Sequence, residues 1–301
     1  MIKNRVAIII PYFGTFPVWF DLYLYSCSLQ KYVDFVFFTD CDYSNHQSYE
    51  NVIFNGISYE DYCKCVSMAL GIDFHPDNPY KICDIRPFLG IIHGRDIVRY
   101  DWWGYADIDV IYGDLSMLVN QETLKRYDII TTHADRLAGH FTIVRKSSQY
   151  TSIGYMIENW KEKLESPLGL GVDEHDFTKV VRPGIIHLFR LYRLINKVIN
   201  ITQYNFFKIP NFVLSFFSKI FIKEYYTSPM PKDGEVWSYN LENCELKSPN
   251  GKQLPYLHFL FFKKTPFWSP QNYWRDGFWK VENGTRSGKV LFSNKEVIYE
   301  P

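Results

Sequence analysis

Val6-Ala7-Ile8-Ile9-Ile10-Pro11-Tyr12-Phe13-Gly14 opens the chain, and five unbroken apolar residues closed by a proline read as one short strand. A strand that is apolar at every position has both faces buried, which is the habit of parallel sheets covered by helices. Working outward, Pro17 to Lys31 has a helical pattern, and Asp34-Phe35-Val36-Phe37-Phe38-Thr39 is a second strand stopped by Asp40. Val52-Ile53-Phe54 is a third, and Ser58 to Leu70 reads as a helix with Ser58 as N-cap and acids in its first turn. Further on, Arg86 to Val98 reads as a helix and Trp102 to Val110 as a strand. Asp128 to Thr132 and His140 to Val144 read as two more strands. Strands alternating with helices predict an α/β fold with a mixed, mostly parallel sheet flanked by helices. In such sheets ligands bind beyond the carboxyl ends of the strands, where Tyr12-Phe13-Gly14, Thr39-Asp40 and Asp107-Ile108-Asp109 fall.

Composition narrows the function. The 301 residues are 47% apolar, enough for a sizeable core, and 33 basic residues against 33 acidic ones leave no net charge. A chain-wide nucleic-acid surface needs a basic excess, so no nucleic-acid partner is expected. Aromatic residues reach 18%; most of these rings build a core, and the remainder suits stacking on sugars and bases. Six cysteines at irregular spacing, with Cys63 and Cys65 as a lone Cys-x-Cys, predict reduced thiols rather than a zinc site. The first apolar run is too short for a signal peptide or a membrane span, so a cytoplasmic location is expected.

From His187 to Tyr226 the character changes. Leu188, Leu191, Tyr192, Ile195, Val198 and Ile199 keep helical spacing, with Arg190, Arg193, Asn196 and Lys197 on the other side. A basic amphipathic helix of this kind lies in an anionic membrane interface, here the inner membrane face, or packs on the main domain with a solvated basic side. The chain therefore divides into a core at 1–186, a basic helical segment at 187–226 and an extension at 227–301. Asn250-Gly251 and Asn283-Gly284 mark hairpin turns in the extension.

The chemistry centres on Tyr105-Ala106-Asp107-Ile108-Asp109-Val110-Ile111-Tyr112-Gly113-Asp114-Leu115. Asp107 and Asp109 at alternate strand positions share a face or meet at the strand end. Two carboxylates there make a hard oxygen site for Mn²⁺ or Mg²⁺, ions held by one or two carboxylates together with substrate phosphates. Inside the apolar run from Trp102 to Ala106, two unpaired acids would be costly to bury, which favours a metal or cationic partner over a chance surface pair.

The Ala-Asp-x-Asp strand, the opening Ile-Ile-Pro-Tyr-Phe and the Phe-Phe-Thr-Asp stop together resemble the GT-A-fold (Rossmann-type) glycosyltransferases. The strings Pro79 to Pro87 and Trp103 to Leu115 are similar to bacterial transferases of polysaccharide biosynthesis, well over about residues 5 to 180 and loosely beyond. That resemblance implies transfer of a sugar from a nucleoside-diphosphate donor, UDP-linked in the first instance, to a saccharide or lipid-linked saccharide. It places Pro11, Tyr12 and Phe13 at the nucleotide, Asp40 at the uridine or its ribose, and Arg86 at the donor phosphates or the acidic motif. Leu257-His258-Phe259 followed by Lys263-Lys264-Thr265-Pro266-Phe267-Trp268 resembles the closing motif of retaining transferases related to glycogenin, without its glycine and with the lysine shifted. By that resemblance His258 is a third metal ligand, Lys263 a diphosphate contact, and retention is favoured over inversion. Asp173 and Glu174, in Gly169-Leu170-Gly171-Val172-Asp173-Glu174-His175-Asp176, are by the same resemblance the acceptor-side catalytic acids, against a solvated helix start. His133, Asp135 and His140 fall near the same pocket in chain order. A sugar nucleotidyltransferase would need a glycine-rich basic loop where Pro11 to Pro17 stands, and a non-catalytic carbohydrate-binding module would tolerate loss of both Asp107 and Asp109.

Overall fold

The computed structural model describes residues 6–46, 48–133, 135–181, 220–222, 224–264 and 287–301. In chain order the first elements are β1 (Val6–Pro11), α1 (Phe20–Ser28), β2 (Val33–Thr39), β3 (Val52–Gly56), α2 (Tyr59–Leu70), α3 (Leu89–Ile92), β4 (Trp102–Ala106) and β5 (Val110–Tyr112). Then come α4 (Gln121–Arg126), β6 (Ile129–Thr131), β7 (Phe141–Arg145), α5 (Ser148–Thr151), α6 (Trp160–Glu165), α7 (Phe177–Val181) and β8 (Ile220–Ile222). The chain ends in β9 (Trp237–Asn240), β10 (Leu246–Lys247), β11 (Tyr256–His258), β12 (Lys289–Phe292) and β13 (Val297–Glu300). Two compact units form, one from Met1–Ile57, Ala106–Gln121 and Tyr225–Pro301, the other from Ser58–Tyr105 and Glu122–Glu224.

In the first unit β1 lies parallel to β2, and β2 parallel to β3, with Ile8 opposite Phe35 and Phe37 opposite Phe54. Every residue of β2 is buried, Asp34 included, as the unbroken apolar run requires of a covered sheet. Phe20 on α1 stands edge-on to Phe37 at 5.7 Å, and Phe37 stacks on Phe54 at 4.9 Å, so the aromatic excess is spent largely on core. β5 pairs antiparallel with β11, which puts His258 opposite Val110. The remaining strands run β10-β9-β12-β13, antiparallel throughout. The turn at Asn250-Gly251 is as expected: Gly251 takes φ +76°, a left-handed conformation that costs glycine little. Asn283-Gly284 lies outside the described residues.

The second unit carries strands in the order β4-β7-β6-β8, with β6 antiparallel to β7 and parallel to β8. Gly104 is required in β4, because a Cβ there would lie 2.5 Å from the Thr142 carbonyl oxygen. Ser58 caps α2 by accepting from the Asp61 N–H at 3.1 Å, and Gly71 closes the helix at φ +66°.

The mixed α/β class with mostly parallel strands and flanking helices is therefore the one expected. Two local expectations fail. Arg86 to Val98 is not one helix: a 3₁₀ stretch at Pro79–Phe88 runs into the four-residue α3, and turns follow. The helical run stops after Ile92, where His93 leaves helical geometry ahead of Gly94, a poor helix former. The strand expected over Trp102 to Val110 is interrupted after Ala106 and resumes at Val110. Most of the basic segment at 187–226, from 187 to 219, lies outside the described residues.

Candidate active site

The interruption of that strand builds the site of the first unit. Asp107, Ile108 and Asp109 form the turn between β4 and β5, so the two acids meet at a strand end rather than along one strand face. The turn is pinned by the Trp19 indole, which donates to the Ile108 carbonyl at 2.9 Å, and by the Phe259 N–H, which donates to the Asp109 carbonyl at 3.0 Å. Because β11 pairs with β5, His258 arrives beside the turn with its backbone N–H donated to Thr227 at 2.7 Å. Its Nε2 stands 3.3 Å from Asp109 Oδ1 and 3.8 Å from Asp107 Oδ2. Its Nδ1 shares a 3.0 Å hydrogen bond with the Ser228 hydroxyl, and a proton on Nδ1 leaves the Nε2 lone pair facing the carboxylates.

One ligand atom each from Asp107, Asp109 and His258 falls within 4.8 Å of the others. Two carboxylate oxygens and an oriented imidazole nitrogen fit Mn²⁺ or Mg²⁺, the nitrogen favouring Mn²⁺. A hydroxyl fixing the far ring nitrogen is the usual outer support of such a ligand. Asp109 and His258 are buried and Asp107 is half-buried, which leaves one side of the cluster open to solvent. The Lys263 ammonium is in contact with Asp109 Oδ2 and sits 5.6 Å over the Trp19 ring. Burial alone would raise the Asp109 pKa, but with its proton on Nε2 instead His258 donates to this carboxylate, and together with Lys263 it holds the carboxyl below the ordinary range.

Of the donor-side residues expected from the sequence, Pro11, Tyr12, Phe13, Asp40 and Lys263 belong to the same unit, while Arg86 belongs to the second. Pro11 ends β1, and the Tyr12 N–H continues the ladder to the Phe38 carbonyl at 3.0 Å. The Tyr12 phenol has its pKa raised by burial and by the nearby Cys41 and Asp109 groups, which puts the ring in electrostatic reach of the acidic turn. Phe13 is buried. Asp40 accepts from the Gly14 N–H at 2.8 Å, so this carboxylate ties down the loop after β1.

The second unit gathers Arg86, Asp173 and Glu174. Arg86 Nη1 donates to Asp173 Oδ2 and to the Gly139 carbonyl, both at 2.8 Å, and the guanidinium lies 5.5 Å over the Tyr105 ring. Glu174 accepts from the Gly139 N–H at 3.0 Å and from Arg136 Nε at 3.1 Å. Both acids lie in the first turn of a helical stretch, Val172–Asp176, that runs into α7; Asp173 is buried there and Glu174 is partly exposed. Burial, then the Asp173 charge, raises the Tyr105 pKa. His133 lies 3.7 Å from Glu224, with its ring edge-on to His140 at 4.9 Å, while Asp135 pairs with Arg136 at 3.1 Å.

Sequence reasoning missed Trp19, Ser228, Lys81 and Asp84. Lys81 and Asp84 form a buried ion pair at 2.9 Å in the 79–88 stretch, flanking the recognisable Arg86. Only their place in that string marks them, since a Lys-x-x-Asp spacing is ordinary on any helix surface.

The chain belongs to the family described as a family of unknown function, DUF6625, whose model matches residues 8–282. No curated protein matches the sequence. Among solved structures the chain is similar to a glycosyltransferase involved in glycosylation of the major capsid of PBCV-1, at 12% identity and TM-score 0.36, covering 74% of this chain and 84% of that one. The glycosyltransferase GlyE of Streptococcus pneumoniae matches at 10% identity and TM-score 0.33, covering 73% of this chain and 54% of that one. The galactosyltransferase LgtC, in complex with donor and acceptor sugar analogs, matches at 12% identity and TM-score 0.32, covering 58% of this chain and 69% of that one.

Proposed function

We propose that the protein is a divalent-metal-dependent glycosyltransferase that moves a sugar from a nucleoside-diphosphate donor, a UDP-sugar, to a saccharide or lipid-linked saccharide in surface polysaccharide biosynthesis. The observation that carries the reading is the convergence of Asp107, Asp109 and His258, with ligand atoms within 4.8 Å, on an open strand end. Asp107, Asp109 and His258 would hold Mn²⁺ or Mg²⁺, and an ion there would supply positive charge for a leaving diphosphate. Lys263 supplies a second cation beside Asp109, suited to the diphosphate oxygens. Tyr12, with Pro11 and Phe13 at the end of β1, faces the nucleotide, and Asp40 shapes that loop. His258 and Lys263 come from the 227–301 extension, which in this reading completes the active site of the 1–186 core.

Asp173 and Glu174 act on the acceptor side as positioning groups. Each is held in place by an arginine, Asp173 by Arg86 at 2.8 Å and Glu174 by Arg136 at 3.1 Å, which suits a positioning role. That favours retention, which needs no strong base at the acceptor, over inversion. Among the described residues no helix is long and apolar enough to cross a membrane, and contact of the 187–226 segment with an anionic inner face remains part of the proposal.

The test is calorimetric titration of UDP into the protein with and without Mn²⁺, repeated on Asp109→Ala. Binding that needs the metal and disappears in the variant supports the reading. Binding indifferent to both makes the acidic turn structural. No binding of UDP, GDP or CMP under any condition would refute the transferase and leave a carbohydrate-binding protein.

A further inference from the structure

Trp19, Ser26 and Gln30 stand at i, i+7 and i+11, a spacing that sets three side chains on one face of a helix. Trp19 immediately precedes α1, and Gln30 lies just beyond its last residue, Ser28. All three are buried in the first unit, and all three bond to the backbone of the segment that carries the acidic pair. The Trp19 indole donates to the Ile108 carbonyl at 2.9 Å. The Ser26 hydroxyl oxygen accepts from the Tyr112 N–H at 3.2 Å. The Gln30 amide donates to the Gly113 carbonyl at 2.9 Å and accepts from the Leu115 N–H at 3.2 Å. Buried backbone groups need partners, and Ser26 and Gln30 supply them beyond the acids. Trp19 differs, because its bond falls on the residue between Asp107 and Asp109.

The same indole reaches the rest of the cluster. Its ring stands edge-on to Phe259 at 5.2 Å, and the Phe259 N–H donates to the Asp109 carbonyl at 3.0 Å. Phe259 directly follows His258, so the contact braces the end of β11 from which the imidazole projects. The ring face carries the Lys263 ammonium at 5.6 Å, the cation that touches Asp109 Oδ2. One side chain thus bonds the turn, backs the strand end that brings the third ligand, and seats the neighbouring cation. The distances it brackets are short, 3.3 Å from His258 Nε2 to Asp109 Oδ1 and 3.8 Å to Asp107 Oδ2. Metal ligands need placing to within about 0.5 Å, which packed and hydrogen-bonded neighbours provide. Phenylalanine offers an edge and a face without the donor, so the part played by the indole N–H is separable from the packing.

We propose that Trp19 is a positioning residue for the metal cluster, its indole N–H holding the Asp107-Ile108-Asp109 turn where both carboxylates and His258 reach one ion. The assignment rests on the metal reading of that cluster. Mn²⁺ is titrated into the intact protein, with the free ion read by electron paramagnetic resonance, for wild type, Trp19→Phe and Phe37→Leu. Phe37 is a core ring of β2 packed on Phe20 and Phe54, so Phe37→Leu loosens the same unit without altering the turn. The expected result is Mn²⁺ affinity about 10–100-fold weaker in Trp19→Phe, the range for losing a hydrogen bond behind a metal ligand, and unchanged in Phe37→Leu. Melting curves should show both variants folded and both less stable than wild type. Wild-type affinity in Trp19→Phe, or an equal loss in Phe37→Leu, overturns the assignment. A second measurement needs no change at Trp19: in wild type carrying isotope-labelled tryptophan, Mg²⁺ should shift an indole N–H resonance, and Asp109→Ala should abolish the response. No indole response, or one that survives in Asp109→Ala, also overturns it. Failure of wild type to bind Mn²⁺ removes the metal reading and the assignment together. Trp19-dependent Mn²⁺ binding by a protein that takes no UDP keeps the assignment and removes the transferase.

Discussion

Replacing Lys81 by methionine keeps the length of the side chain and removes only its charge and its three donors, which makes it a clean probe of the buried pair with Asp84. Nothing in the site allows water to substitute, since the Lys81 side chain is 1% exposed and that of Asp84 2%. The ammonium donates three hydrogen bonds, to Asp84 Oδ2, Lys163 O and Leu168 O. Charge-assisted bonds are worth about 1.5–3 kcal/mol each, so their loss sets a ceiling of roughly 4.5–9 kcal/mol before the apolar methionine returns part of it. Deleting one partner of a buried ion pair costs about 3–5 kcal/mol, which meets only the low end of that ceiling, as expected once the methionine's return is counted. A loss of about 4 kcal/mol should lower the urea midpoint by roughly 1.3 M if the slope is about 3 kcal/mol/M. Urea melts followed by circular dichroism read this directly. Lys64→Met is the control: Lys64 also pairs with Asp61, at 3.1 Å, but on an exposed helix face, and its removal should leave the midpoint unmoved. A Lys81→Met midpoint within error of wild type would refute the claim that the pair holds the 163–172 loop.

Three further outcomes follow from the geometry. Ser228→Ala removes the hydroxyl that fixes His258 Nδ1 at 3.0 Å, and should weaken Mn²⁺ binding about 10–100-fold in a metal titration while leaving the thermal midpoint nearly unchanged. Gly139→Ala should destabilise by about 1–3 kcal/mol in a urea melt, because its Cβ would lie 2.9 Å from Glu174 Oε1 and 3.1 Å from Asp173 Oδ2. His93, buried against Tyr62 with Nε2 3.0 Å from the phenol oxygen, has its pKa lowered from 6.5 by burial, against the opposing pull of Asp96. Its contribution to stability is therefore full above pH 6.5 and is lost as pH falls through the lower folded-state value, so His93→Gln should flatten the decline in melting temperature between pH 7 and pH 5.

What could be read in the chain beforehand, and what could not, divides along the distance over which each feature is encoded. β1 and β2 were legible because burial on both faces leaves an unbroken apolar run, a signal complete within six or seven residues. α2 was legible for the same reason, its Ser58 cap and closing Gly71 lying at the two ends of one periodic segment. The helix expected from Arg86 failed beyond Ile92, where the chain turns at His93-Gly94, a local signal outweighed in the reading by the apolar spacing around it. The acidic pair was visible through spacing and apolar surroundings, yet the strand was not seen to break at Asp107, since Ile108 and Val110 continue its apolar pattern.

His258 and Lys263 could be found only by resemblance, because 154 residues separate Lys263 from Asp109 and no period in a sequence encodes a contact at that range. Lys81 and Asp84 are the harder case. A lysine and an aspartate are ordinarily surface residues, and nothing in their own stretch reveals that backbone groups at Lys163, Leu168, Leu170 and Val172 await them 82 to 88 residues later. Their burial becomes intelligible only once that loop is in place, for the loop carries the unpaired carbonyls and N–H groups that make the two charges tolerable. Charge that looks like surface in a sequence and like scaffold in a structure marks where the fold spends free energy on shape. Here the shape so held is the backbone between Lys163 and Val172.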